Sequence, residues 1–261
     1  MTAPSIADRE FCAAIRGLSV RFGDRQALKG VDIDFPAKRI SVLLGRSGSG
    51  KTTLLRSFNR LNECFEGYEG TGTVKLGGIA GAPDSLEEVN ALPLSRLRRL
   101  VGMVFQTPNP LPLSIRKNLL LPLTLVAGLE TDEAEEAMKR SLTAVGLWKE
   151  VADRLDRPAF SLSGGQRQRL CLARVLALEP EILLLDEPTA SLDRLAAAVV
   201  EDLILSLKGR YSIVMVSHSL AQAGRLGDFL AVLTDGRVEE TMAASALPKG
   251  AEAEKFLEKL L

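Results

Sequence analysis

Gly45, Gly48, Gly50, Lys51 and Thr52 fall in the spacing G-x-x-x-x-G-K-[ST], with Arg46, Ser47 and Ser49 among the intervening residues. Glycines let backbone N–H groups close around an anion, the lysine reaches the outer phosphates as a point charge, and the hydroxyl is a ligand for Mg²⁺. Together they form a nucleotide phosphate site, the P-loop. The bland alternative is a glycine-rich turn with a chance Lys-Thr pair. An apolar run just before it and a carboxylate downstream weigh against that. The downstream run, Ile182-Leu183-Leu184-Leu185, ends on Asp186 and Glu187. A carboxylate there can share Mg²⁺ with substrate phosphates, since that cation takes oxygen ligands and few of them from protein. Two acids that merely open a turn before Pro188 are the plainer reading, but acids seldom close a buried strand without a task.

A second glycine-bearing segment, Leu162-Ser163-Gly164-Gly165-Gln166, stands ahead of those acids. Serine before glycines suits a helix N-cap, and a cap left partly open is also an anion site; both readings stand. Gln106 closes another apolar run, and His218, the only histidine in the chain, follows a third. Alone, each has a plain explanation: a solvent-facing amide before a Pro-containing loop, and a surface or satisfied core imidazole. Their positions at the carboxyl ends of strands are what make them candidates.

To hold these residues together the chain needs strands that end where they begin. Ile40–Leu44 is a dense apolar strand running into Gly45, and Thr52–Leu61 has helical spacing, so strand, loop and helix follow in the order a P-loop requires. Leu18–Phe22 and Val31–Phe35 alternate as half-buried strands of a small antiparallel sheet, with Gly23-Asp24 as a turn. Thr73–Leu76 reads as a strand, Gly77–Pro93 as a surface connection, and Val101–Phe105 as a buried strand. From Thr107 to about Arg157 the pattern is helical, with Ser114 capping one helix and Thr131 or Asp132 the next. Helix Ser163–Leu178, strand Ile182–Leu185, helix Arg194–Leu207, strand Ser212–Val216 and helix Leu220–Leu226 complete a doubly wound core. A hairpin follows from Phe229–Thr234 to Val238–Thr241 through Asp235-Gly236. The tail places Phe256, Leu257, Leu260 and Leu261 on one helical face, for packing or for a partner. The expected fold is α/β: a mixed sheet core with a small antiparallel β subdomain and an inserted helical subdomain at about 107–178, all within 11–241, then a helical tail at 242–261.

The 261 residues suit one large α/β domain. With 33 basic against 33 acidic side chains, no global field draws the chain to nucleic acid or to an anionic membrane, and nucleic acid is not an expected partner. Cys12, Cys64 and Cys171 lie far apart, with no C-x-x-C pair, which fits a reducing compartment. The first ten residues lack the apolar core of a secretory signal, and Pro122 interrupts the greasy stretch Leu119–Val126, far short of a membrane span. Any membrane role is expected to come through a partner.

The P-loop together with Leu162–Gln166 and Leu185-Asp186-Glu187 resembles the ATP-binding subunits of ABC transporters, over about Phe11 to Thr241. The resemblance implies a P-loop NTPase of the ABC ATPase type, with ATP and Mg²⁺ as cofactors. ATP would lie on Gly45 to Thr53 (Gly45, Arg46, Ser47, Gly48, Ser49, Gly50, Lys51, Thr52 and Thr53), with Phe22 stacked on adenine in place of the commoner Tyr. Taken alone, Phe22 reads as a core residue. Thr52, Gln106 and Asp186 would hold Mg²⁺. Glu187 would be the general base for the attacking water, Gln106 the sensor of the γ-phosphate, and His218 the imidazole that steadies it. Ser163, Gly164, Gly165 and Gln166 would approach ATP held by a second copy of the chain, and Ser191-Leu192-Asp193 would be the loop crossing that dimer. Implied partners are a second ATPase subunit, two integral-membrane permease subunits and, indirectly, an external solute-binding protein. The implied location is peripheral, on the cytoplasmic face of the cell membrane.

Arg56–Glu63, Val101–Pro110, Leu147–Val151, Leu170–Arg174 and Tyr211–Met215 are most similar to the ATPase subunit of bacterial phosphate importers. Arg46, Ser49, Leu120–Leu123 and the short tail depart from that pattern. An importer for another solute and a soluble ABC ATPase outside transport are the alternatives. A P-loop kinase would leave Leu162–Gln166 unexplained. The segment Asn109–Asn118 is the expected contact with the permease.

Overall fold

The computed structural model describes residues 11–77 and 86–247. Its first layer is a four-stranded antiparallel sheet in the order β2-β1-β4-β5, formed by β1 (Phe11–Phe22), β2 (Arg25–Pro36), β4 (Tyr68–Gly77) and β5 (Leu86–Glu88). β1 and β2 are longer than the alternation in the sequence indicates. The cause is a register shift between Ile15 and Leu18, where Gly17 takes a φ of 58°: the bulge breaks the period of two and hides the first half of each strand. Phe22 pairs with Arg25 across the two-residue turn Gly23-Asp24.

The second sheet has the order β10-β9-β3-β8-β7-β6, with β3 (Ile40–Leu44), β6 (Val101–Val104), β7 (Ile182–Asp186), β8 (Ser212–Val216) and β9 (Phe229–Thr234) parallel and β10 (Arg237–Ala243) antiparallel at the edge. Every residue of β3, β7 and β8 is buried. The pleat divides them: Leu183, Leu185, Ile213 and Met215 join one apolar core, while Ile182, Leu184, Val214 and Val216 join the other. A strand with core on both faces is mainly apolar, and these segments are, apart from the buried Ser41, Ser212 and the terminal Asp186. The second core is shared with the antiparallel sheet, α1 (Lys51–Ser57) and α2 (Leu94–Leu100); the first is shared with α3 (Ile115–Leu125), α4 (Thr131–Ala144), α5 (Trp148–Val151), α6 (Gly164–Leu176), α7 (Arg194–Leu207) and α8 (Leu220–Leu226).

Several expectations are corrected. α1 ends at Ser57 rather than Leu61, because Arg60 turns left-handed (φ 56°) and the Asn62 amide reaches back to Thr53 O at 2.8 Å. The stretch Gly77–Pro93 is not connection alone: β5 pairs with β4 in its second half, and α2 follows directly after Pro93. Ser114 does cap α3 as expected, its hydroxyl accepting from Lys117 N at 3.2 Å. The cap of α4 is Glu130, not Thr131 or Asp132, through a reciprocal box in which Glu133 accepts from Glu130 N at 3.4 Å. Met242 and Ala243 extend β10, and Ala244–Ala246 form a 3₁₀ turn in place of helix. The stripe Phe256, Leu257, Leu260 and Leu261 lies outside the described residues.

Candidate functional site

Four loops at the carboxyl ends of parallel strands meet at one place: Gly45–Gly50 after β3, Gln106 after β6, Glu187 after β7 and His218 after β8. In an open parallel sheet this is where ligands bind. The loop after β3 requires its glycines. Gly45 has φ +146°, and a Cβ on it would stand 2.1 Å from Leu233 O; Gly50 has φ +103°, and a Cβ there would stand 2.7 Å from Ala27 O. Lys51 opens α1, is 6% exposed, and donates from Nζ to Gly45 O and Arg46 O, both at 2.7 Å. Burial draws its ammonium below the ordinary lysine value, against the pull of the Glu187 and Asp186 carboxylates. A cation held on loop carbonyls at a helix N-terminus is poised for an anion.

Thr52 Oγ1 donates to Asp186 Oδ1 at 3.0 Å, and Arg56 approaches Asp186 at 4.0 Å. Asp186 is 6% exposed, and burial pushes its carboxyl above the usual aspartate range; the Thr52 hydrogen bond and Arg56 offset part of that rise. A buried carboxylate beside a hydroxyl fits Mg²⁺. Among the described residues no cluster of three or more His, Cys, Asp or Glu side chains could hold a metal by itself. That also fits Mg²⁺, which is bound by one or two protein oxygens plus phosphates and water.

Glu187 follows with a left-handed φ of 44°. Its Oε2 accepts from Gln106 Nε2 at 3.3 Å and lies 3.2 Å from His218 Nδ1. Glu187 and Gln106 line a cleft of about 440 Å³ together with Phe22, Arg25, Ala27, Ser47, Gly48, Gly50, Lys51, Thr52 and Thr53. His218 is not part of its wall but touches Glu187 from the side. Gly45, Arg46 and Ser49 do not line it either: the first two offer carbonyls to Lys51, and Ser49 is buried. Phe22 presents its ring at the rim, 6.1 Å from the Phe65 centroid and 6.0 Å from that of Tyr68. Arg25 and Ala27 are the lining residues that sequence reading misses, and Arg25 is the charged one. The two-residue turn at Gly23-Asp24 was the signal for it, because such a hairpin sets residue 25 beside residue 22.

The cleft wall includes none of Ser163, Gly164, Gly165 or Gln166 from the same chain. Ser163 caps α6 by accepting from Gln166 N at 3.3 Å, Gln166 Oε1 accepts from Ser163 N at 3.0 Å, and Gln166 Nε2 donates to Glu150 at 2.7 Å. Gly165 has a packing reason as well, since a Cβ there would stand 2.8 Å from Ala196 Cβ on α7. Asp193 caps α7 by accepting from Leu195 N and Ala196 N, both at 3.0 Å, and Ser191 donates to Gln106 O at 3.2 Å. In Asn109–Asn118, Leu111 is exposed but Asn118 is fully buried. Asn118 accepts from Leu111 N and donates to Leu111 O and Ser114 O, so this residue braces the loop and is not available to a partner.

Residues 28–190 match a family model described as ABC transporter. The chain is 42% identical over 242 residues to the phosphate import ATP-binding protein PstB 1 of Yersinia pseudotuberculosis, covering 93% of this chain and 87% of that protein. The same identity, over 243 residues and with the same coverage, relates it to the phosphate import ATP-binding protein PstB 1 of Vibrio vulnificus. Among solved structures it is similar to cbiO1 of Clostridium perfringens, part of the ABC transporter complex cbiONQ: TM-score 0.75, 25% identity, 96% of this chain and 92% of that one. A dimeric ATP-binding cassette in a post-hydrolysis state, bound to ADP and Pi, matches with a TM-score of 0.73 and 28% identity over 89% of this chain and 98% of its own.

Proposed function

The chain belongs to the ABC transporter family as an ATP-binding subunit, and from that premise we propose that it hydrolyses ATP to drive import of inorganic phosphate through a membrane permease. The observation that supports hydrolysis most directly is the convergence on one cleft of Lys51, Thr52, Gln106 and Glu187, with Asp186 bonded to Thr52 and His218 against Glu187. Phosphate as the solute rests on the relatives that share 42% of their residues with nearly the whole chain.

In this reading Phe22 offers its ring face to adenine. The N–H groups at the start of α1 and the Lys51 ammonium take the outer phosphates. Thr52 and Asp186, with Gln106, would hold Mg²⁺, which when bound neutralises phosphate charge. Gln106 and His218 both contact Glu187 Oε2, so they orient the carboxylate and leave Oε1 to take the proton of the attacking water. General-base assistance of this kind is worth roughly 10²–10⁴-fold. The Ser163–Gln166 cap, absent from its own cleft, would close the cleft of a second copy, adding charge-assisted hydrogen bonds to the γ-phosphate that ADP cannot offer. Among the described residues no helix is long and apolar enough to cross a membrane, and the subunit would act from the cytoplasmic face through two permease subunits.

The test is labelled-phosphate uptake in phosphate-starved cells that lack the gene. This chain should restore uptake, while Glu187→Gln, which still binds ATP, should not. Normal phosphate uptake with loss of another solute would reassign the cargo and leave the ATPase intact.

A further inference from the structure

A second cleft, of about 530 Å³, lies on the far side of Glu187 and is walled by Thr189, Ser217, His218, Ser219 and Gln222 among others. The Gln222 amide in this wall donates through both N–H groups and accepts on its oxygen. Nε2 donates to Thr189 Oγ1 and to Glu201 Oε1, both at 2.8 Å, and Oε1 accepts from Ser217 Oγ at 2.7 Å. The Gln222 backbone is tied to the same loop, its N–H donating to Ser219 Oγ at 3.2 Å, and Ser219 N donates to Ser217 Oγ at 3.0 Å. One half-buried side chain therefore joins the loop that carries His218, the loop that carries Glu187, and helix α7.

We propose that Gln222 is a positioning residue for ATP hydrolysis: it sets the separation between the His218 loop and the Glu187 loop, and so the 3.2 Å contact between the two side chains. The inference rests on the ATPase reading of the cleft. His218 is 65% exposed and makes only the contact with Glu187 on its imidazole, so its own packing does not fix its place. Its neighbours Ser217 and Ser219 do, and both bond to Gln222. Thr189, two residues beyond Glu187, is fixed by the same amide. An amide suits this task because it accepts from one loop and donates to the other at once. A carboxylate could not donate to Glu201, and it would face that charge at hydrogen-bond distance.

The experiment uses the full chain with three variants: Gln222→Ala, Gln222→Glu, and the exchange Gln222→Glu with Glu201→Gln. In the exchange the new amide at 201 donates to the new carboxylate at 222, Ser217 goes on donating to it, and the Thr189 hydroxyl turns from acceptor to donor. Arg225, which pairs with Glu201 and Asp202, keeps Asp202. Misplacing a catalytic group by about 1 Å costs on the order of 10²-fold, so both single variants should lower kcat by about ten- to hundredfold and leave ATP affinity unchanged. The exchange should recover most of kcat. A second readout needs no turnover: the chain has one histidine, so its imidazole NMR signals belong to His218 without further assignment. They should move toward those of a free imidazole in the single variants and return in the exchange. Wild-type kcat in Gln222→Ala, lost activity with unmoved His218 signals, or an exchange that restores neither readout would each overturn the proposal. A wild-type chain no more active than Lys51→Ala would instead sink the ATPase reading, and the NMR comparison would still decide whether Gln222 places His218.

Discussion

Lys51 and Asp186 are both nearly buried, and burial disfavours the charged form of each. Side chains of this kind suit a ligand of opposite charge, phosphate for Lys51 and a cation for Asp186. A charge-assisted hydrogen bond is worth about 1.5–3 kcal/mol, so Lys51→Ala should weaken ATP binding roughly ten- to hundredfold and abolish turnover, as equilibrium binding and a coupled ATPase assay would read. Asp186→Asn separates function from stability. It keeps the acceptor for Thr52 Oγ1 and removes a buried charge, so the nucleotide-free chain should melt at higher temperature than wild type while hydrolysis is lost. A lower melting point in Asp186→Asn would mean that Arg56 already compensates the carboxylate. At this scale the sequence was informative wherever a residue type answers a chemical need, as at Lys51, Thr52 and Asp186. It was silent on Arg25 and Gln222, which are common surface types and gain meaning only from what the fold sets beside them.

Elements were legible where burial is complete. β3, β8, α7 and α8 keep the limits that the sequence indicates, because a strand with core on both faces is a dense apolar run, with Ser41 and Ser212 as the exceptions, and Asp193 and Ser219 cap their helices. Where the backbone departs from ideal periods the sequence misleads: the bulge in β1, the left-handed Arg60 that ends α1, and the Glu130 cap that moves the start of α4. α2 follows a proline and shows seven residues, too few for helical spacing to stand out. The join between α5 and α6 gives a pH prediction. Glu150 is held below its usual value of 4.5, chiefly by the hydrogen bond from Arg169, with Gln166 donating to it as well. A carboxylate lowered in the folded chain contributes stability that is complete above its unfolded value and is lost as pH falls through its folded value. Glu150→Gln should therefore flatten the acid limb of the melting curve below pH 4.5. Glu150 is 38% exposed, so screening should keep the change under about 1 kcal/mol.

For the whole molecule, Ser163–Gln166 are absent from the cleft wall of their own chain, and the proposed function has them complete the site of a second copy. With Glu187→Gln to preserve bound ATP, light scattering should show a larger mass with Mg-ATP than with Mg-ADP or no nucleotide, and adding Ser163→Arg should abolish the difference. Persistence of the monomer at high concentration, with full hydrolysis in Ser163→Arg, would return the chain to self-contained P-loop enzymes. Another consequence follows from where the cleft draws its walls. Phe22, Lys51, Gln106 and Glu187 come from points spread through the chain, Phe22 at the end of a strand in one sheet and the other three just beyond strands of the other. A bound nucleotide is thus a removable cross-link between distant parts of the polymer. At a hundredfold excess over its Kd it adds about 2.7 kcal/mol to the folded state, a sizeable share of what holds a domain together. The fuel would then set the lifetime of the engine: a protease should cut the nucleotide-free chain faster than the same chain held with ATP.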